Sequence, residues 1–225
     1  MSDSMGVFLL SIRGVMATPE LEASRVTHNK HAGTPENIAA ARALGDLSHM
    51  VYTPIDGGGA AANEILFLDH WNSLEGLNAF FAHPQVQEGG ALIFAHRDPG
   101  VWMPAEGFAG YHFPAPADQT GRYIGIVRGP VASREQAREI HNALVGPTMS
   151  MARAAGSMSH EAYFRLAPPG SPEALEFFAV DVWHNGQGMA QFYQNPQFLA
   201  GFQKLFAGMP SATAWMQPAG QWTEW

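Results

Sequence analysis

The sequence contains no cysteine. The fold therefore uses neither disulfides nor thiolate metal ligands, and a cysteine nucleophile is excluded. Basic residues are scarce, since 12 Lys and Arg stand against 20 Asp and Glu and give a net charge of −8. Without a basic cluster, the chain lacks the electrostatic footprint of a nucleic-acid-binding protein.

Long apolar runs are also missing. No stretch approaches the roughly 18 residues that would span a bilayer. The first residues, MSDSMGVFLLSIRG, lack the basic flank and the small-residue cleavage site of a signal peptide. We therefore expect a cytoplasmic protein that has neither nucleic acid nor membrane as a partner.

Two stretches of the chain carry the same pair of motifs. Residues 25–52 and 138–163 each contain R-x-x-H-N-x-x-x-G followed by G-x-x-S-H-x-x-Y. Further matches lie at an offset of 112, where Asp69, Trp71, Phe80, Pro84 and Gln85 correspond to Asp181, Trp183, Phe192, Pro196 and Gln197. Matches in the same order at a nearly constant offset indicate a tandem duplication. We predict two domains, residues 1–113 and 122–225, joined by the linker PAPADQTG at 114–121.

Each copy contains the same succession of predicted elements. GVFLLSIRG and RYIGIVRG are short, apolar and rich in strand-forming residues, as are EILFLDHW and EFFAVDVW. Helical patterns follow the first and third strands, which gives the order βαββαβ twice. A sheet covered by helices on one face only must bury its other face. We therefore predict an α+β fold in which the two copies pack sheet to sheet.

The stretch GDLSHMVYTPI, together with EILFLDHWNSLEGLNAFFAHPQ, resembles the dimeric α+β barrel superfamily, which includes antibiotic-biosynthesis-monooxygenase-like and EthD-like domains. The acid-x-Trp pattern occurs twice, as Asp69-His70-Trp71 and Asp181-Val182-Trp183, and the His-Asn start of the 28–32 region resembles the EthD-like first helix. The resemblance implies ferredoxin-like units that form an α+β barrel. It implies no single activity, because fold does not give function.

The duplicated histidines are the main catalytic candidates. His28 lies on the first predicted helix and His49 on the second strand, which that helix should cover. Strand alternation places Leu47, His49 and Val51 on one face, so His28 and His49 can meet between helix and sheet. A pair of imidazoles can hold one proton donor and one acceptor near neutral pH. The alternative is a structural histidine satisfied by Asn29 and a backbone carbonyl.

Other residues of the first copy extend this candidate site. Asp69 shares a strand face with Trp71, so the acid can orient a histidine while the indole stacks on an aromatic ring. We expect Asn29, Trp71, Tyr52, His70 and His83 to bind substrate, although alternation places Tyr52 opposite His49. His31, His70 and His83 become Leu144, Val182 and Asn195 in the second copy, and the first copy is therefore predicted to be the active one.

Metal and haem remain alternatives. His28 and His31 can share a helix face, but the sequence has neither an H-x-H nor an H-x-x-x-H ligand spacing. The superfamily resemblance makes haem conceivable, with His83 as its ligand. The glycines of GGGAAA join two strands, whereas a nucleotide fingerprint joins a strand to a helix. We expect no cofactor.

The predicted function is that of a cofactor-independent enzyme using histidine acid–base chemistry on a hydrophobic, phenolic small molecule, as a lyase, isomerase or cyclase. One alternative is a cofactor-free monooxygenase of a quinol or phenol. Another is a non-catalytic protein that binds a hydrophobic ligand. The sequence leaves a homodimer open.

Overall fold

The computed structural model describes residues 6–117, 119 and 121–225. The first five residues, and Asp118 and Thr120 of the predicted linker, lie outside this range. The chain divides into two compact units. Unit 1 contains residues up to 54, residues 61–103 and residues 218–225, and unit 2 contains residues 55–60 and 104–217.

Unit 1 has the predicted βαββαβ order, with each helical segment split in two. Its elements are β1 (Phe8–Met16), α1 (Leu21–His31), α2 (Pro35–Ala43), β2 (Asp46–Pro54), β3 (Glu64–Trp71), α3 (Leu74–Ala82), α4 (Pro84–Ile93) and β4 (Phe94–Pro104). The strands pair antiparallel in the order β4-β1-β3-β2. Alternate residues of β1 and β3, such as Ile12, Ile65 and Phe67, are buried in its core.

Unit 2 repeats this arrangement. Its elements are β5 (Tyr111–His112), β6 (Tyr123–Pro130), α5 (Arg134–Ala154), β7 (Ser157–Arg165), a 3₁₀ turn (Pro172–Leu175), β8 (Glu176–Trp183), α6 (Gly186–Tyr193), α7 (Pro196–Phe202) and β9 (Ser211–Met216). The strands pair antiparallel in the order β9-β6-β8-β7-β5. The predicted α+β class is confirmed.

The first helical segment differs between the copies. In unit 1 it breaks into α1 and α2, and Thr34 caps α2 by accepting a hydrogen bond from Asn37 N at 3.2 Å, with Pro35 at the first helical position. In unit 2 the single helix α5 runs through Pro147. The first copy has two more residues between Gly33 and Gly45 than the second has between Gly146 and Gly156, and these residues accommodate a new helix start.

The second helical segment breaks in the same place in both units. His83 ends α3 and precedes Pro84, which begins α4. Pro196 begins α7 in the same way, because proline has no N–H to donate but fits the first turn of a helix. Ser73 and Asn185 cap α3 and α6 by accepting from the backbone N–H of Gly76 and Gly188.

The two units do not follow the repeat boundaries at their ends. Residues 104–113, at the end of the first copy, belong to unit 2, and residues 218–225, at the end of the second, belong to unit 1. We call residues 104–111 the 104–111 tail and residues 218–225 the 218–225 tail. Both begin with Pro-Ala, and each residue of the first tail corresponds to the residue 114 positions later in the second. No helix among the described residues is long and apolar enough to cross a membrane.

Candidate active site

The two predicted histidines of unit 1 meet, as expected. His28 on α1 and His49 on β2 have their Nε2 atoms 3.0 Å apart. His49 Nδ1 lies 2.6 Å from Oδ1 of Asp69 on the neighbouring strand β3. His28 is completely buried, and His49 and Asp69 are 5% and 4% exposed. The result is a buried chain of hydrogen bonds, Asp69–His49–His28.

Asn29 extends this series of hydrogen bonds and determines which ring nitrogen of His28 carries a proton. Its Nδ2–H donates to the carbonyl of Gln221 at 2.8 Å, and its Oδ1 accepts from the N–H of Thr223 at 2.9 Å. Backbone groups cannot exchange donor and acceptor roles, so they set the orientation of the amide. His28 Nδ1, at 3.0 Å from Asn29 Oδ1, must therefore be the donor of that bond.

The protonation of the pair follows. A neutral His28 with its proton on Nδ1 has a bare Nε2, which can only accept, so His49 Nε2–H donates to it. His49 Nδ1–H donates to Asp69, and His49 thus carries both protons. Burial, then the charge on His49, lowers the pKa of His28 to about 4. Burial alone would lower the pKa of His49, but the Asp69 carboxylate, together with Asp46 and Glu224, raises it, and the net shift is upward.

A cavity of about 260 Å³ in unit 1 lies beside the hydrogen-bonded Asp69 and His49. Its polar wall includes His49, Asp69 and Asp46. Its apolar wall is largely aromatic and includes Phe67, Trp71, Phe80, Phe81, Phe94 and Trp225. A cavity of about 150 Å³ already accepts benzene, so the volume suits an aromatic molecule of one or two rings.

A β-bulge brings Asp46 into this wall. On β2, Asp46 pairs with Trp71 and Ser48 with His70, which leaves Leu47 as the extra residue. Leu47 is 46% exposed, whereas Asp46 is buried. The prediction that Leu47 shares the covered face of His49 was therefore wrong, because strict alternation fails at the bulge. Trp225 Nε1–H donates to Asp46 Oδ2 at 2.9 Å, and Asp46 Oδ1 has no partner among the described residues.

Replacement of Asp46 by Asn should flatten the pH dependence of stability. Burial, then the Asp69 carboxylate, raises the pKa of Asp46 from 3.8 to about 7. A raised acid pKa means that the folded state binds more protons, so stability falls as pH rises from about 4 to 7. Above pH 7 this rise in the pKa of Asp46 lowers the free energy of unfolding by about 4 kcal/mol. The Asp46→Asn variant can therefore be more stable than the wild type by at most this amount. Melting temperatures from pH 5 to 8 measure it.

The exposed Asp56→Asn variant is the control for this experiment. It should follow the wild-type pH profile. An Asp46→Asn profile as steep as that of the wild type would contradict a buried, titrating Asp46.

The structure divides the predicted substrate-binding residues. Trp71 and His83 line the cavity. Asn29 does not line it and instead holds His28. Tyr52 is buried outside the cavity. His70 is hydrogen-bonded to Ser48 at 2.9 Å, because strand alternation turns it away from its neighbours Asp69 and Trp71.

The histidines considered for metal and haem binding are His28, His31 and His83. Within the described residues, no group of three or more His, Asp or Glu side chains is arranged to hold a metal ion. His31 lines the cavity, whereas His28 points at His49. His83, the candidate haem ligand, lies in the wall of the cavity.

The 218–225 tail completes the site and was not recognised in the sequence. Trp225 stacks on His49, with ring centroids 4.6 Å apart, and Trp222 lies against His28 at 5.2 Å. Two backbone hydrogen bonds join Trp225 and His49, at 2.8 and 3.2 Å. The tail therefore covers both imidazoles.

The R-x-x-H-N-x-x-x-G motif of α1 binds this tail. Arg25 Nη1–H donates to the carbonyl of Gln221 at 3.1 Å, beside the contacts of His28 and Asn29. A Cβ on Gly33 would lie 2.5 Å from Thr223 Cβ, so only glycine permits the close approach. The repeated motif could have indicated a partner segment, because its residues recur every three or four positions on one helix face.

Unit 2 contains the same chain of hydrogen bonds. Nε2 of His141 and Nε2 of His160 are 2.8 Å apart, and His160 Nδ1 lies 2.5 Å from Asp181 Oδ1. Asn142 is held by Gly107 O and Ala109 N of the 104–111 tail. Phe108 and Tyr111 of that tail lie against His141 and His160. Burial, then the charge on His160, lowers the pKa of His141 to about 4.

Unit 2 also has its own cavity, of about 400 Å³. His141, His160 and Asp181 line it. The histidine chain alone therefore does not distinguish the two copies. The difference between them lies in the groups around the carboxylate.

Comparison with known proteins locates the chain by fold. No protein-family model matches it, and no curated protein matches its sequence. A solved protein described as anthrone oxidase-like superposes with a TM-score of 0.63 over 95% of this chain and 92% of its own, at 16% identity. A candidate monooxygenase from Fusobacterium nucleatum subsp. nucleatum gives 0.62 over 99% and 98%, at 8% identity.

The fold is stated in the description of a third solved structure. It is a ferredoxin-fold protein from Listeria monocytogenes related to antibiotic biosynthesis monooxygenases, with a TM-score of 0.51 over 96% of both chains and 7% identity. At such identities the likeness concerns the fold alone. It confirms the ferredoxin-like α+β fold and agrees with the superfamily resemblance in the sequence.

Proposed function

We propose that the protein is a cofactor-independent enzyme that transfers a proton from a hydrophobic, phenolic small molecule bound in the cavity of unit 1. The reaction would be of lyase, isomerase or cyclase type. One observation carries the proposal: a carboxylate paired with an imidazolium faces an aromatic cavity of the size of one or two rings.

Asp69 is the proposed general base. Its Oδ1 accepts from His49, and its Oδ2 accepts no hydrogen bond among the described residues. Asp69 lines the cavity, so a molecule bound there lies beside its carboxylate. A base must lie within hydrogen-bond reach of the proton that it removes. A phenol whose ring packs among Phe80, Phe81 and Trp71 satisfies this requirement.

The charge on His49 stabilises the product of proton transfer. When the phenol O–H proton passes to Asp69, the oxygen becomes a phenolate beside the His49 imidazolium. A fixed positive charge in a buried site stabilises developing negative charge more than water does. The neutral His28 accepts from His49 Nε2 and holds the imidazolium in place.

Elimination illustrates the chemistry that follows. The electron pair of the phenolate moves into the ring, and the bond to a leaving group on the para side chain breaks. A quinone methide and the anion of the leaving group result. The proton on Asp69 then returns to that anion, so the enzyme ends in its starting state.

A cofactor-free monooxygenase is the second candidate. The observation that favours it is the fold shared with proteins described as anthrone oxidase-like or as candidate monooxygenases. The same deprotonation would begin this reaction, with the substrate anion then reducing molecular oxygen. The two candidates thus share the base and differ in the second reactant.

The test is turnover by purified protein dialysed against a chelator, without added metal, flavin or haem. A panel of phenols with para hydroxyalkyl chains is incubated with and without oxygen and followed by NMR and an oxygen electrode. We expect conversion without oxygen. Conversion that requires oxygen would favour the monooxygenase. Activity lost together with stoichiometric iron, or unchanged phenol recovered from a tight complex, would contradict the proposal.

A further inference from the structure

Two residues that line the cavity of unit 1, Asp69 and Trp71, each have a polar side-chain atom without a hydrogen-bond partner among the described residues. Trp71 is 1% exposed, and its Nε1–H is buried and makes no hydrogen bond among the described residues. Asp69 Oδ2, on the same strand face, accepts none there either. A buried donor without a partner costs roughly 1–3 kcal/mol. Such a group within a binding cavity indicates a ligand that supplies the acceptor.

In unit 2 a tyrosine supplies both missing partners. Tyr193 OH donates to Asp181 Oδ2 at 2.6 Å, and Trp183 Nε1–H donates to Tyr193 OH at 3.3 Å. One phenolic hydroxyl thus joins the acid and the indole. Burial, then the Asp181 charge, raises the pKa of Tyr193, so the hydroxyl keeps its proton.

The residue equivalent to Tyr193 in unit 1 is Phe81. The offset of 112 that relates Asp69 to Asp181 and Trp71 to Trp183 also relates Phe81 to residue 193. The rings occupy corresponding places, since Phe81 lies 6.0 Å from Trp71 with an interplanar angle of 59°, and Tyr193 lies 5.7 Å from Trp183 with an angle of 69°. The two units therefore differ at this point by one hydroxyl group.

We infer that the phenolic hydroxyl of the ligand of unit 1 binds to Asp69 Oδ2 and Trp71 Nε1 beside the Phe81 ring, and so makes the two hydrogen bonds that Tyr193 OH makes in unit 2. The hydroxyl donates to the carboxylate and accepts from the indole. This inference deepens the proposed function and depends on it for the reaction that follows binding.

The two partners define the ligand class. A phenol or alcohol has both the donor and the acceptor that the pair requires. An ether or ketone lacks the donor, and a carboxylate is repelled by Asp69. The aromatic walls of the cavity favour a phenol over an aliphatic alcohol. In unit 2 Tyr193 of the chain itself makes both hydrogen bonds, so the cavity of unit 2 offers a ligand no unpaired acid and indole.

Calorimetric binding of 4-ethylphenol and 4-ethylanisole at pH 7 tests the inference. The two probes differ by one methyl group, which removes the hydroxyl donor. We expect the wild type to bind the phenol about 10–100 times more tightly, the value of a hydrogen bond to a charged group. Phe81→Tyr should abolish this preference and leave the affinity for 4-ethylanisole within about threefold.

Tyr193→Phe is the reciprocal variant. It should free Asp181 Oδ2 and Trp183 Nε1 for a ligand and raise the stoichiometry of 4-ethylphenol from one to two per chain. Melting temperatures establish that both variants fold. A wild type that does not distinguish the two probes, or a Phe81→Tyr variant that keeps the preference, would overturn the inference.

The outcomes separate this inference from the proposed function. Selective phenol binding that Phe81→Tyr abolishes, in a protein that converts no phenol, would uphold the binding site and contradict the enzyme. Conversion of a phenol that Phe81→Tyr leaves unchanged would uphold the enzyme and contradict the binding site.

Discussion

Asp69→Asn is expected to lower turnover by about 10²–10⁴, the range lost with a general acid or base. Asparagine cannot take the substrate proton. It also removes the Asp69 charge, which raises the pKa of His49 against the effect of burial, so the pKa of His49 should fall. The stabilisation of the phenolate by the imidazolium is then weakened and the base is lost. Turnover from pH 5 to 9 measures both effects.

The matched control is Asp181→Asn in unit 2. Asp181 has the same imidazole partner as Asp69, but its second oxygen is bound by Tyr193. Breaking either pair should cost stability, the buried pair of unit 1 more than the partly buried pair of unit 2, whereas only the loss of Asp69 should lower turnover. Equal losses of turnover would mean two working sites. Full activity of Asp69→Asn, or of both His28→Ala and His49→Ala, would show that the chain of hydrogen bonds is structural.

The sequence predicted the fold through its repetition. A single strand or helix pattern is weak evidence for an element. The same patterns recur at an offset of 112, and this repetition supports the predicted βαββαβ order. The breaks within the helices were less visible. Thr34 and Pro35 form a helix start signal that the equivalent part of α5 lacks. The matching positions of the two copies do not include these residues, so the repeat does not indicate the break.

The centre of the site was also predictable. His28, His49 and Asp69 were placed together because a helix that covers a strand must present one face to it, and because neighbouring strand residues on one face lie close. Asn29 was suggested as a structural partner of a histidine, and it has that role.

Other features depend on geometry that alternation does not contain. Because of the bulge at Leu47, the side chains that precede Ser48 on β2 lie on the face opposite to the one that strict alternation predicts, and Asp46 reaches the cavity. The 218–225 tail lies about 175 residues from His49 in the sequence, so no local pattern links them. The contrast between Phe81 and Tyr193 was present in the alignment of the copies, but its meaning required the hydrogen bonds of Tyr193.

The second large effect concerns the 218–225 tail, where Trp222→Ala is expected to lower the free energy of unfolding by about 3–5 kcal/mol. Trp222 is 9% exposed and belongs to the core of unit 1. Its indole lies 5.2 Å from the His28 ring and donates to the carbonyl of Ala219 at 3.1 Å. Truncation to alanine leaves a cavity beside the imidazole pair.

Chemical denaturation measures this loss, and Met209→Ala is its control, because Met209 is 95% exposed and its truncation should change stability by no more than about 0.5 kcal/mol. Water that reaches the cavity would also solvate His28 and weaken the burial that lowers its pKa. The pKa of His28, followed by NMR, should therefore rise from about 4 toward 6.5 in Trp222→Ala. A stability loss below about 1 kcal/mol with an unchanged His28 would mean that the tail rests on the surface of unit 1 and does not form part of its core.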